Sequence, residues 1–284
     1  MSLIGTMDSG VSALRTYAKG LAVIGNNIAN VDTTGYKTSS AQYADSFSNI
    51  LQQSSTNGAT VTNAIAVGTG VTLAGIGTNF GQGELSSTGN TTDLGVSGQG
   101  YFTVKNPTDG STYVTRAGNF TLDTNGYLVT TNGYRVQGKT AAGTVGDIQL
   151  GTPPTGTELQ SLAIDKSGNL IESYSDGTTA TTNQILLQNF TNPSALVKEG
   201  GNLFSGMGAA GPTSGSVALV TTGANTAGTN GLGSVQSGTL ELSNVDLTEQ
   251  FTDLITAQRS FEAGSRLITV SDTLLDDIVN LKQR

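Results

Sequence analysis

The chain contains no cysteine, no histidine and no tryptophan, and only five prolines in 284 residues. Without cysteine there is no disulfide and no thiolate nucleophile. Without histidine the commonest general base and the commonest metal ligand are missing. Ser-His-Asp and Cys-His catalysis is therefore excluded within the chain. Charge is sparse as well: 13 Lys plus Arg stand against 21 Asp plus Glu, a formal net charge of -8. A nucleic-acid partner calls for a basic surface, and the few basic residues here are scattered, so none is expected. No apolar run reaches the length of about eighteen residues that a membrane helix requires, and no membrane insertion is expected. The opening stretch lacks a basic n-region, and Asp8, Arg15 and Lys19 interrupt its apolar residues. A cleavable signal peptide is not expected.

What is present is glycine, 39 residues of it, and two amphipathic ends. From Ser243 to the end, Leu247, Leu254, Phe261, Ile268 and Leu275 recur every seven residues without a proline. Phe251 and Val279, with Gln258, Ser265 and Asp272, form the expected companion row. Asp246 followed three residues later by Glu249 has the spacing of a capping box. At the other end Ile4, Met7, Val11, Leu14, Ala18, Leu21, Gly25 and Ile28 alternate spacings of three and four. Each is a one-sided heptad stripe that needs a partner. The reading is α+β: paired long terminal helices, coiled-coil-like, carrying an inserted, mostly antiparallel β domain.

Four segments are expected. Residues 1–35 with 243–284 make a helical domain, 36–64 a linker or arm, 65–138 with 183–242 the β domain, and 139–182 a small inserted subdomain. Tyr43, Phe47, Ile50 and Leu51 give residues 36–51 a weak helical period. Phe120 to Val129 and Leu162 to Ile171 each read as strand, Asp-x-x-Gly turn, strand, and they resemble each other. A calcium loop at Asp123 would need further carboxylates, and Leu128 and Val129 follow instead. Residues 205–234 read as a surface loop from their Gly, Ala and Thr content. Gly68-Thr-Gly70 and Gly98-Gln-Gly100 complete no nucleotide fingerprint. No catalytic, cofactor or metal-ligating set emerges. Arg116, Arg135, Arg259 and Arg266 are candidates for ion pairs between subunits, and a glycosidase pair of converging acids is not apparent. A glycine-rich adhesin would account for the β region but not for two terminal stripes.

Gly20 to Asn30, which includes Asn26 and Asn27, and then Thr34-Gly35-Tyr36-Lys37 resemble the amino-terminal signature of flagellar rod and hook proteins. Ser97 to Phe102, Thr115 to Phe120, Asn125 to Val129, Ser243 to Leu247 with Asp246, and Ala257-Gln258-Arg259 resemble the same family. The resemblance implies an exported structural subunit that polymerises in many copies. Its implied partners are other axial and junction proteins, the assembly cap and the export machinery. It also implies an inner tube of terminal helices around a central channel. Polar residues off the seam, among them Gln283 and Arg284, are candidates to line it. Ala41 to Phe47, Asn79 to Gly83 and the carboxy-terminal helix look most like hook subunits, whereas the short middle and the arm at 52–64 look like distal rod subunits. A hook subunit is the first expectation and a distal rod subunit the second. The expected assembly residues are Ile4, Met7, Val11, Leu14, Leu21, Ile28, Leu247, Phe251, Leu254, Phe261, Ile268 and Leu275.

Overall fold

The computed structural model describes residues 3–52, 55–57, 60–62, 64–151, 157–221 and 223–281. Chain contacts divide it into two compact units: 1–29 with 39–79 and 245–284, and 30–38 with 80–244.

The first unit holds α1 (Leu3–Ala29) and a long antiparallel hairpin. One arm of the hairpin is β1 (Ser39–Asp45), β2 (Ser48–Gln52) and β3 (Ser55–Asn57), and β4 (Thr60–Thr62), β5 (Ile65–Gly68) and β6 (Val71–Thr78) return along it. Residues 39–45 and 48–52 are therefore strands, although the weak period of 36–51 is helical. The apolar side chains of this stretch bury no common face that could hold a helix: Phe47 is 88% exposed and Leu51 66%. Cross-strand pairing supplies the backbone partners instead. The unit is completed by α3 (Leu247–Leu281), numbered third after a short helix in the other unit. Asp246 caps α3: its carboxylate accepts the N–H groups of Thr248 and Glu249 at 2.8 and 3.3 Å.

In the second unit the strands run in order as β7 (Leu85–Ser87), β8 (Leu94–Ser97), β9 (Tyr101–Lys105), β10 (Thr112–Thr115), β11 (Thr121–Leu122), β12 (Leu128–Val129) and β13 (Arg135–Lys139). They continue as β14 (Val145–Asp147), β15 (Leu159–Ile164), β16 (Asn169–Tyr174), β17 (Thr179–Ile185), β18 (Leu187–Gln188), β19 (Val197–Gly200) and β20 (Leu203–Ser205). After the short α2 (Met207–Ala210) come β21 (Ser234–Ser237) and β22 (Thr239–Glu241). The main sheet is ordered β15-β16-β17-β13-β9-β10-β20-β19, and its pairs are antiparallel. Strands of the 139–182 stretch share this sheet with β9 and β13. Strand alternation puts Phe102 and Val104 into one core with Leu94, Val136 and Ile185, and Tyr101 into a second with Phe190 and Phe204.

The two Asp-x-x-Gly segments do form the same turn. Gly126 and Gly168 donate to the carbonyls of Asp123 and Asp165 at 2.8 and 3.0 Å, and Gly126 sits at φ +78°. The 205–234 loop is more anchored than its composition implies. Leu219, Ala227 and Leu232 are buried, and the buried Asn225 donates to the Leu187 carbonyl and to Gln188.

Beneath this loop the Thr103 side chain is 4% exposed, and its hydroxyl has no hydrogen-bond partner among the described residues. A buried unpaired hydroxyl costs about 1–3 kcal/mol. Thr103→Val is accordingly expected to stabilise the fold by about 1–2 kcal/mol in urea unfolding.

Four carboxylates in the same unit ionise more readily than an isolated aspartate. The Thr124 backbone N–H and the Asn125 amide hold Asp123 down. Partial burial pushes Asp147 and Asp165 up, but bonds from Gln137 and Arg135, and from Asn169 and Ser167, outweigh it. The Thr178 hydroxyl and N–H lower Asp176. A folded-state value below the unfolded one stabilises the fold fully above about pH 4, and that stability is lost as pH falls through the lower folded values. The urea midpoint is expected to drop between about pH 4 and pH 2, and Asp165→Asn is expected to reduce that drop.

Candidate functional site

Two arrangements gather the residues that the sequence singles out. The first is the helix pair. α1 and α3 run antiparallel: Asn27 meets Gln250 at one end, and the Thr6 and Ser271 hydroxyls lie 3.3 Å apart toward the other. Met7, Val11, Leu14, Leu21 and Ile28 are half-buried along α1, and Leu254, Ile268 and Leu275 along α3. Leu247, Phe251 and Phe261 remain 40%, 51% and 38% exposed. The side chain of Ile4, and all of Gln283 and Arg284, lie outside the described residues.

The companion row on α3 is not the expected one. Gln250, Ala257, Gly264 and Ser271 are buried, while Phe251, Gln258, Ser265, Asp272 and Val279 are exposed. Both rows keep the seven-residue repeat, one on each side of the Leu254 row. The pair uses the row of smaller residues because these let the backbones approach. At Gly10 of α1 a Cβ would stand only 3.1 Å from Ile268 Cγ1 and 3.6 Å from the Gly264 carbonyl oxygen. A count of apolar residues misses such a row. A period-seven count of small residues would have found Ala257, Gly264 and Ser271.

Asn27, 1% exposed, ties three elements together. Its side-chain N–H group donates to the Ser39 carbonyl at 2.7 Å and to Gln250 Oε1 at 2.8 Å, and its Oδ1 accepts the Ser39 N–H at 3.0 Å. Thus α1, β1 and α3 share one buried amide. Neighbouring Asn26, like Gln258 and Arg259, faces solvent.

The second arrangement is a buried charge node in the β unit. Glu241, at the end of β22, accepts Lys37 Nζ at 2.6 Å on one oxygen and Arg116 at 3.1 Å on the other. The Gly83 N–H adds a bond of 2.9 Å. Lys37 also donates to the Gly81 carbonyl, and Arg116 to those of Val96 and Gly98. Lys37 and Glu241 side chains are 0% exposed. Burial pushes the Lys37 ammonium below its ordinary value, and Glu241 opposes that shift. Burial also lifts the Tyr101 phenol, on whose ring Arg116 rests, to about 12.

Around this node the separate signature motifs converge. Gly35 (φ +67°) presses on the Arg116–Ala117 peptide, where a Cβ would lie 2.5 Å from the Ala117 nitrogen. The Gly35 N–H donates to the Glu241 carbonyl, and the Thr38 N–H to the Asn244 side chain. Lys198 reaches the Lys37 carbonyl and lies over the buried Tyr36 ring, and Asn202 donates to the Thr34 carbonyl. Asn30 caps the preceding turn, accepting from Thr33. Glu241 was not singled out from the sequence. Its signal was a lone acid between Leu240 and Leu242 in a chain poor in charge.

Arg116 and Arg135, expected between subunits, pair within the chain instead, with Glu241 and Asp147. Glu241 lies 125 residues from Arg116, so the fold alone brings them together, whereas Asp147 comes from β14, the strand that follows and pairs with β13 of Arg135. Among the described residues no cluster of acids is placed to hold a metal ion, and no helix is long and apolar enough to cross a membrane.

Terminal helices paired around a row of small residues, with an antiparallel β unit whose connectors lock onto one buried glutamate, define an α+β structural protein. Residues 7–37 match the family described as flagella basal body rod protein, and residues 95–171 the flagellar hook protein FlgE/F/G D1 domain. Residues 236–281 match the flagellar basal body rod FlgEFG protein C-terminal family. The chain is 38% identical over 283 residues to the flagellar basal-body rod protein FlgG of Bacillus subtilis, covering 99% of this chain and 100% of that one. It is 33% identical to the FlgG of Agrobacterium fabrum, covering 96% and 97%. It is 25% identical to the flagellar hook protein FlgE of Borreliella burgdorferi in an alignment 452 positions long, covering 99% of this chain and 100% of that one. The chain belongs to the flagellar rod and hook family of axial structural proteins.

Proposed function

We propose that the protein is a subunit of the distal rod, the straight part of the flagellar axis, rather than of the hook. The observation that carries this reading is end-to-end likeness: 38% identity to a relative named as a rod protein, with 100% of that relative covered. The alignment with the hook protein stretches to 452 positions and falls to 25% identity, as if the hook carries length that this chain lacks. Its role is structural, not catalytic. Copies polymerise through the terminal helices, and the expected residues Leu247, Phe251 and Phe261 are available on the outside of the pair. Export through the flagellar apparatus, contact with other axial proteins, and a place outside the cytoplasm belong to the same reading. The exposed hydrophobic residues of the hairpin, Phe47, Ile50 and Leu51, support it, because a two-stranded ribbon is marginal in water without a packing partner.

The test is complementation in a motile bacterium lacking either its own distal rod subunit or its own hook subunit. The chain is expected to restore a straight rod in the first strain and no hook in the second. Restored hooks in the second strain would reverse the assignment.

A further inference from the structure

α1 covers one side of α3, and the remaining surface of α3 is divided in an unusual way. On one flank, the rows of Phe251 and Ile255 begin apolar, with both side chains 51% exposed. Further along the same rows come Glu262, Asp272 and Asp276, with Val279 at the end, 57% exposed. On the opposite flank the order is reversed. Glu249 and Asp253 stand at the start, and Leu267, Val270 and Leu274 follow, 54%, 57% and 49% exposed, before Asp277 in the last turn. The two flanks lie symmetrically about α1 in heptad geometry. Up to Asp276, the last turn apart, each is half apolar and half acidic, in opposite sense.

We infer that these two patches are the two sides of one contact between successive copies of this chain: Phe251 and Ile255 of one copy pack on Leu267, Val270 and Leu274 of the next. The inference rests on the axial-polymer reading and specifies its contact. A repeating open polymer needs heterologous contacts, in which a patch meets a different patch on its neighbour. α3 supplies two different patches facing opposite ways. The acidic halves set the register. Parallel copies placed level would press Phe251 and Ile255 onto Glu249 and Asp253, which desolvates carboxylates without partners. Sliding one copy along the helix brings apolar onto apolar and leaves the acids in water. The patch centres are roughly 17 residues apart, so the slide is about 26 Å at ~1.5 Å per residue. The row directly opposite α1 carries Arg259 and Arg266 and takes no part in the contact.

The absence of cysteine from the native chain makes disulfide trapping clean. The double variant Ile255→Cys with Leu274→Cys is assembled, oxidised and run without reductant. The expected result is a ladder of covalent trimers and longer species from assembled material only, because each copy links to two others. Each single variant should stay monomeric. Should either apolar loss prevent assembly, Gln258→Cys with Asp277→Cys, at solvent-facing positions beside the same patches, reads the same contact with the apolar residues kept. Assembled polymer without a ladder, or dimers from Ile255→Cys alone, would overturn the staggered contact while leaving the rod reading intact. Failure of the native chain to form any axial structure would instead remove the reading beneath it.

Discussion

Glu241→Ala is expected to destabilise the β unit by about 3–5 kcal/mol, the cost of leaving a buried ion pair without one partner. The reason lies in what remains. Lys37 and Arg116 are 0% and 4% exposed at their side chains, and without the carboxylate two cations would share a site removed from water. Hydrogen bonds to the carbonyls of Gly81, Val96 and Gly98 persist, but dipoles do not cancel two charges. A domain holds only about 5–15 kcal/mol in all, so the variant should unfold at a much lower urea concentration or fail to accumulate. Glu241→Gln keeps the shape and loses the charge, and should fall only part of the way less. A loss below about 1 kcal/mol for the alanine variant would mean that water reaches the node and that Glu241 behaves as a surface acid.

Leu254→Asp is expected to abolish polymer formation while leaving the β unit folded. Leu254 stands between the buried Gln250 and Ala257 on the side of α3 that α1 covers. An aspartate there must be desolvated without a cation or lose the helix contact, and either costs several kcal/mol. The described ion pairs all lie outside the helix pair, so nothing compensates. The two outcomes are separable: electron microscopy reads the polymer, and near-UV circular dichroism of the tyrosines in the β unit reads its core. The expectation is lost polymer with an unchanged core spectrum. Normal polymers from Leu254→Asp would mean that the helix pair opens at no cost and that the seam is not what joins the ends.

Much of the molecule was legible one residue at a time. The helices appear where the heptads are, and Asp246 caps where its spacing says it should. The Asp-x-x-Gly turns also close as read. Each depends on neighbours within a few positions, where backbone geometry leaves little choice. The hairpin at 39–78 was harder, because a short apolar run has a helical and an extended reading of nearly equal merit. Register along the pair was harder still. Rows on either side of Leu254 share one period, and hydrophobicity favours Phe251 over the small residues that are in fact buried.

The chain alone determined that its two ends would be one-sided helices, that no histidine or thiol chemistry was available, and that the rest would be antiparallel strands joined by glycine turns. Those properties follow from composition and period. Only the tertiary structure decided which side of α3 faces α1, because backbone approach depends on what is absent at Gly10 and Gly264. It alone also decided that Lys37, Arg116 and Glu241 meet. Charges far apart in the chain find each other only through the fold that gathers their separate segments, and their burial is a property of what packs around them.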